Sequence, residues 1–143
     1  MAAFNKHNQF VEDLGLGVHN LDTGVLKCLL TNTAPTAANA VKADLTEIGS
    51  GNGYTAGGTD SQASWAEASG TATLTGTKVV WTASGGTIGP FRYVDLYNDT
   101  PTSPADPLIG WWDYGSAITL QIGETFSVKF NNSDTTGTIL TLA

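Results

Sequence analysis

From residue 25 onward the chain is a succession of short segments in which apolar and polar residues alternate. Such a period of two predicts β-strands, because successive side chains of a strand point to opposite faces. Gly, Pro, Asn and Asp separate the segments, and no helical pattern alternates with them, which argues against a parallel βαβ architecture. About eight short strands with this spacing predict an all-β fold, either a β-sandwich or a jelly roll. The clearest predicted strands are 25–33, 78–83, 91–97, 108–112, 117–121, 125–130 and 138–142.

Residues 49–77 are mostly Gly, Ser, Thr and Ala, and their only large apolar residues are Tyr54, Trp65 and Leu74. A stretch with so few large apolar side chains contributes little to a core. We therefore expect edge strands at the surface there.

The one helical pattern lies at the N-terminus. Apolar residues recur at three- and four-residue steps from Val11 to Leu21, and Phe10 precedes Leu14 by one helical turn. Gly15 and Gly17 interrupt the pattern, and glycine weakens a helix by about 1 kcal/mol relative to alanine. The pattern predicts a short helix at about 5–14.

These patterns divide the chain into an N-terminal helical arm, 1–21, and a β-sandwich domain, 22–143. A lone amphipathic helix ahead of a chain of strands suggests a docking element. We expect the arm to contact a partner or a sister subunit through Phe4, Phe10 and Leu14 instead of closing the core of the sandwich.

Composition excludes several classes of function. Only 13% of the residues are charged and the net charge is −7, with six scattered Lys and Arg residues. A nucleic-acid partner would require clustered basic side chains. No segment has the length of an apolar membrane span or the pattern of a secretory signal, so a protein folded in a reducing cytoplasm is expected. Cys28 is the only cysteine and is expected to be a buried apolar residue.

No residue constellation predicts catalysis or a cofactor. The run 51–56 fits a permissive G-x-G-x-x-A pattern, but no helix is expected after it to bind a phosphate. His7 and His19 lack a metal-ligand spacing and are interpreted as ordinary polar residues. The aspartates from Asp95 to Asp113 flank a proline-rich loop and are interpreted as solvated turn residues. We expect no enzyme activity, no metal and no cofactor.

The run 107–115, PLIGWWDYG, is the most informative local segment. Neighbouring residues of a strand point to opposite faces, so Trp111 and Trp112 cannot both enter one core. Trp112 shares its phase with Gly110 and Tyr114, which favours Trp112 as the outward ring. The outward side could be covered by the proline loop, could contact another protein, or could stack on a sugar; aromatic residues are enriched in protein interfaces.

Four segments give the chain a resemblance to a known family. These are FVEDLGLGVHNL at 10–21, LTNTAPTAANAVKADLTEI at 30–48, GNGYTAGG at 51–58 and GPFRYVDLYNDTPTSPADPLIGWWDYGSAITLQIGETFSVK at 89–129. Over nearly the whole chain they resemble small virion structural proteins of tailed bacteriophages. Within that class, the size and β-rich composition resemble capsid decoration or cement proteins, which bind outside the shell and bridge neighbouring capsomers.

The resemblance implies a protein of the virion, present in many copies or as a homo-oligomer and bound to the major capsid protein or to other virion proteins. It implies no catalytic residue. The alternatives are another virion component of the collar, tail or fibre and, from the aromatic residues alone, a carbohydrate-binding β-sandwich that uses Trp111, Trp112 and Tyr114.

Overall fold

Ten β-strands, one α-helix and two short 3-10 helices form the regular structure of the computed structural model, which describes residues 1–143. The predicted all-β class is confirmed, with a sandwich-like arrangement of antiparallel sheets. In chain order the elements are β1 (Asn5–Lys6), α1 (Gln9–Gly15), β2 (Leu26–Thr31), a 3-10 turn (Lys42–Asp44), β3 (Thr59–Asp60), β4 (Ser64–Ala68), β5 (Thr71–Thr77), β6 (Val79–Thr82), β7 (Ile88–Asn98), β8 (Leu108–Leu120), β9 (Thr125–Val128), a second 3-10 turn (Phe130–Asn132) and β10 (Thr136–Leu142).

The largest sheet has five strands in the order β1-β8-β7-β2-β3, all antiparallel. One of its faces is covered by a three-stranded sheet, β10-β5-β4, and by the strand pair β6-β9. Twenty buried residues from all three sheets and the N-terminal segment form one continuous apolar core. Leu74 is completely buried in it, so the Gly/Thr-rich stretch 49–77 contributes more to the core than its composition predicts.

The opposite face of the large sheet is buried as well. Leu29, Tyr97 and Leu108 form a second apolar cluster, and Leu45 of the long connection after β2 packs against it. Hydrogen bonds hold this connection down, for example from the Tyr97 hydroxyl to the Gly57 carbonyl at 2.6 Å. Because both faces are covered, β2 and β7 are apolar on both sides instead of alternating cleanly.

The predicted strands 108–112 and 117–121 are one strand, β8, of 13 residues. Its pairing with β7 slips: Phe91 lies opposite Ile118, but Tyr93 lies opposite Asp113. The extra residues of β8 form a bulge, and β7 changes its alternation in the same region, since Phe91 and Val94 both face the main core. Phe91 lies in the main core, whereas Tyr97 lies in the second cluster, although strict alternation along 91–97 would place both on one face.

The N-terminal segment is packed into the sandwich. Asn5 and Lys6 pair with β8, Phe10 is 4% exposed in the main core, and Phe4 and Leu14 pack against that core. The expectation that residues 1–21 form a separate arm, and that only residues 22–143 build the core, is therefore corrected. The apolar stripe of α1 does predict a contact, but its partner is the domain's own sheet.

We predict that Phe10→Ala lowers the free energy of unfolding by about 3–5 kcal/mol, the usual cost of truncating a buried Phe. The neighbouring Val11→Ala, at a position 53% exposed, should change it by less than about 0.5 kcal/mol. Chemical denaturation of both variants measures the difference. Equal stabilities would contradict the packing of the N-terminal segment into the core.

Candidate interaction surface

An apolar groove opens at one side of the sandwich, between β8 of the large sheet and β9 of the opposite layer. Its volume is about 220 Å³, and seven of its ten lining residues are hydrophobic. Val94, Trp112 and Val128 contribute its buried surface, and Tyr114 and Met1 lie exposed at its edge. A concave apolar surface of this size accepts one or two apolar side chains of another molecule.

Trp112 provides the aromatic floor of the groove and is only 5% exposed. Its ring packs between Phe4 at 5.3 Å and Phe130 at 5.7 Å, measured between ring centroids. Gly110 allows this arrangement, because a Cβ there would lie 2.3 Å from Cζ of Phe4. Gly110 and Trp112 do share one face of β8, but this face is the inner one, where Gly110 makes room for the Phe4 ring. The expectation that Trp112 points outward is therefore wrong.

Tyr114 follows on the same face of β8 but is 55% exposed. It lies at the start of the bulge, where the residues from Tyr114 to Ala117 are all exposed, and Gly115 has a left-handed φ of 103°. The ring makes an edge contact with Phe126 of β9, with 5.6 Å between centroids. Tyr114 is thus held in place on one side and free on the other, as an interface anchor requires.

The charged side chains of Arg92 on β7 and of Lys129 after β9 are both paired within the protein. Arg92 donates two hydrogen bonds to Asp113, at 2.8 and 2.9 Å, and these lower the pKa of Asp113. Lys129, which lines the groove, lies 2.6 Å from Asp134 and lowers the pKa of that carboxyl. The lining of the groove is mostly apolar, and its one charged side chain, Lys129, is paired.

Trp111 lies on the opposite face of the large sheet, as strand alternation predicts, and is partly buried. Its ring packs against the imidazole of His7 in a tilted arrangement, with 4.6 Å between centroids. Trp111, Trp112 and Tyr114 therefore do not form a common aromatic surface, which removes the structural basis for the sugar-stacking alternative.

Of the six residues expected at an interface, Tyr114 is the exposed one; Phe10 and Trp112 are buried, and Phe4, Leu14 and Trp111 are partly buried.

Beneath Trp111 lies a polar pair that sequence reasoning missed. His7 and Asp95 are both completely buried, and Nε2 of His7 lies 2.9 Å from Oδ2 of Asp95. Nδ1 of His7 lies 3.1 Å from the carbonyl oxygen of Thr36. Burial raises the pKa of Asp95. The interpretation of Asp95 as a solvated turn residue is wrong; its place between Val94 and Leu96 inside an apolar strand was the available signal.

His19 is the second buried histidine, so the interpretation of both histidines as ordinary polar residues is also wrong. It packs against Phe10 at 5.2 Å and is 5% exposed. Burial lowers the pKa of His19 to about 4, although the nearby Asp13 carboxylate acts in the opposite direction.

The G-x-G-x-x-A run is a structural loop. Tyr54 within it donates a hydrogen bond to Glu47 at 2.6 Å and accepts one from the Leu30 amide at 3.0 Å. No helix begins after it.

Elsewhere, no three His, Cys, Asp or Glu side chains converge as metal ligands would. Cys28 is a buried free thiol. No helix has the length and apolar character of a membrane span.

No protein-family model matches the chain, and neither a curated protein nor a solved structure matches it.

The two adjacent tryptophans provide a further test. We predict that Trp112→Ala lowers the free energy of unfolding by about 3–5 kcal/mol, because it removes the buried ring between Phe4 and Phe130. Replacement of the partly exposed Trp111 by alanine should lower the free energy of unfolding by clearly less. Denaturant unfolding of both single variants, monitored by far-UV circular dichroism, measures the difference; a larger loss for Trp111→Ala would contradict the assignment of the two faces.

Proposed function

We propose that this protein is a structural component of a tailed-bacteriophage virion that binds the outside of the capsid and stabilises it by bridging capsid subunits. The observation that carries the proposal is the apolar groove between β8 and β9, with the exposed Tyr114 at its edge. The resemblance of segments 10–21, 30–48, 51–58 and 89–129 to small virion proteins supplies the class of partner.

The groove has the composition of an interface centre. Interface energy is concentrated in a few aromatic and apolar anchors that fill desolvated pockets. Here Tyr114 presents a half-exposed ring beside a cavity lined by Trp112 and Val128. An apolar side chain of a capsid subunit would fill this cavity, and Tyr114 would cover it from the side.

Charge favours the outer surface of the shell over its interior. A chain with a net charge of −7 and six scattered basic residues is repelled by packaged DNA. Lys129, the one basic side chain that lines the groove, is paired with Asp134. The partner is accordingly a protein and not a nucleic acid.

The function is binding and not catalysis. The two histidines are buried and engaged in the packing of the N-terminal segment, and the lone cysteine is buried. The groove contains no titratable cluster that could act as an acid, a base or a nucleophile. Bridging through many copies would stabilise the shell by many modest contacts.

A reconstruction by electron cryomicroscopy of phage particles that contain this protein tests the proposal. The expected result is density of this fold on the outer capsid surface, with the groove between β8 and β9 facing a capsid subunit. Density at the collar, tail or fibres would instead assign it to another virion component.

Tyr114→Ala tests the groove itself. We predict that this variant folds with nearly unchanged stability but attaches to particles about thirtyfold more weakly, as loss of an aromatic interface anchor worth about 2 kcal/mol implies. Val80→Ala is a matched control, because Val80 is a half-exposed apolar residue on the outward side of β6. Titration of particles lacking the protein with each purified variant measures the affinity. Equal affinities for both variants would place the interface elsewhere.

A further inference from the structure

The three sheets of this protein have six outer edges, and five of these edges carry features that discourage pairing with another chain. The strands β1 and β3 have two residues each. The strand β4 contains Glu67, and β6 and β9 are four-residue strands that adjoin Lys78, Glu124 and Lys129. Short strands and charged side chains are the usual protection of a sheet edge.

The sixth edge, β10, lacks this protection. Its seven residues, TGTILTL, include no charged residue and no proline. The strand has one register shift, between Thr138 and Leu140, and Ile139 within it turns its side chain into the core. An uncharged edge of this length is a template on which a further strand can pair.

The open side of β10 has no hydrogen-bond partner within the protein. The strand pairs with β5 alone, and no backbone hydrogen bond from any other part of the chain reaches Thr136–Leu142. The nearest side-chain hydrogen bonds end at Thr135. An extended segment of another molecule can therefore bond to this side without displacing anything.

The pairing pattern shows which backbone groups face outward. The Thr77 amide donates to the carbonyl of Ser61, which precedes β4, and so points away from β10. Ladder bonds alternate along a strand, so Thr73 also directs its backbone groups towards β4. Its partner on β10, Thr141, accordingly directs its N–H and C=O groups away from β5. The same alternation applies to Thr138, whose partner is Thr75.

The charge of the chain favours a second copy at this edge. Two copies that each carry a net charge of −7 repel each other, and they approach most easily where the surface is uncharged. Two cross-strand rows on the outer face of this sheet contain only small uncharged residues: Thr138, Thr75 and Ser64 in one, and Thr141, Thr73 and Ala66 in the other. Cross-strand pairs of threonine are favourable, so this surface matches itself.

Antiparallel pairing about a two-fold axis also separates the nearest exposed acidic groups. Asp134 precedes β10 and is the partner of Lys78 and Lys129. Antiparallel strands place the two copies of Asp134 at opposite ends of the seam, roughly 20 Å apart for a strand of this length. That separation exceeds the Debye length of about 8 Å at physiological salt. The same arrangement places the exposed Leu142 of each copy beside the second strand instead of in water.

We infer that β10 is a dimerisation edge, at which two copies of the chain pair antiparallel about a two-fold axis. The pairing joins two three-stranded sheets into one sheet of six strands, in the order β4-β5-β10-β10-β5-β4. A dimer has two grooves, and binding of a capsid subunit to each of them would give the bridging proposed above; this consequence alone rests on the proposed function.

Sedimentation velocity of the purified full-length protein over a concentration series tests the dimer. The wild type should show a reversible monomer–dimer equilibrium. The double variant Thr138→Lys/Thr141→Lys places like charges along the seam and should weaken dimerisation at least about tenfold. The matched control is Ser64→Lys/Ala66→Lys, in the same cross-strand rows at the β4 edge, which should dimerise like the wild type. A monomeric wild type, or equal weakening by both variants, would overturn the inference.

Hydrogen–deuterium exchange of dilute and concentrated wild type is a second measurement that needs no variant. Amides of 136–142 should gain at least about tenfold in protection as the dimer forms, while amides of 64–68 should not change. Protection gained only at another surface, or at 136–142 only on phage particles, would contradict the dimer. Both measurements use the isolated protein, so a monomeric result leaves the binding of the groove to particles unaffected, and normal attachment of Tyr114→Ala leaves the dimer unaffected.

Discussion

The hydrogen bond between His7 and Asp95 joins three parts of the chain that are distant in sequence. His7 belongs to the N-terminal segment, Asp95 to the central strand β7, and Thr36, which accepts the second hydrogen bond of the imidazole, to the long connection after β2. Burying an ionisable pair is costly, and removal of one partner leaves the other unpaired in an apolar environment. Trp111 packs against the imidazole and screens the pair from water on that side. These contacts set the position of β1 on the edge of β8.

The geometry of the groove follows from this position. Once Asn5 lies opposite Trp111, Phe4 comes to lie on the other face of the sheet, against Gly110 and Trp112. The Trp112 ring is then held between two phenylalanines and forms a rigid floor. The bulge after Asp113 ends the regular pairing and projects Tyr114 over Phe126. An exposed apolar surface is thus built on a rigid scaffold, which limits the entropy lost when a partner binds.

Alternation of apolar residues was sufficient to predict the class of the fold. Residues such as Phe126 and Val128 face inward in β9 as their period of two predicts. The opposite faces of Trp111 and Trp112 were also predictable, because any strand separates adjacent side chains. Which of the two rings is buried was not predictable, because a glycine such as Gly110 can mark either an exposed position or a close contact. That distinction depends on Phe4, which is more than a hundred positions away.

Long-range packing also explains the other differences. The stripe of Phe10 and Leu14 predicts an apolar contact but does not say whether its partner is this chain or another. Asp95 looked like a member of a solvated acidic group because its partner, His7, lies 88 positions earlier. Polar pairs of this kind are recognised only when the topology brings them together. The bulge in β8 likewise depends on the pairing register and not on the local sequence.

A double-mutant cycle on His7 and Asp95 tests most directly whether this pair unites the N-terminal segment with the sandwich. Unfolding free energies of the wild type, His7→Ala, Asp95→Ala and the double variant give the coupling between the two side chains. We predict that each single variant loses about 3–5 kcal/mol, and that the double variant loses at least about 1 kcal/mol less than their sum. Additive losses would show that the two residues stabilise the protein independently and would contradict this account.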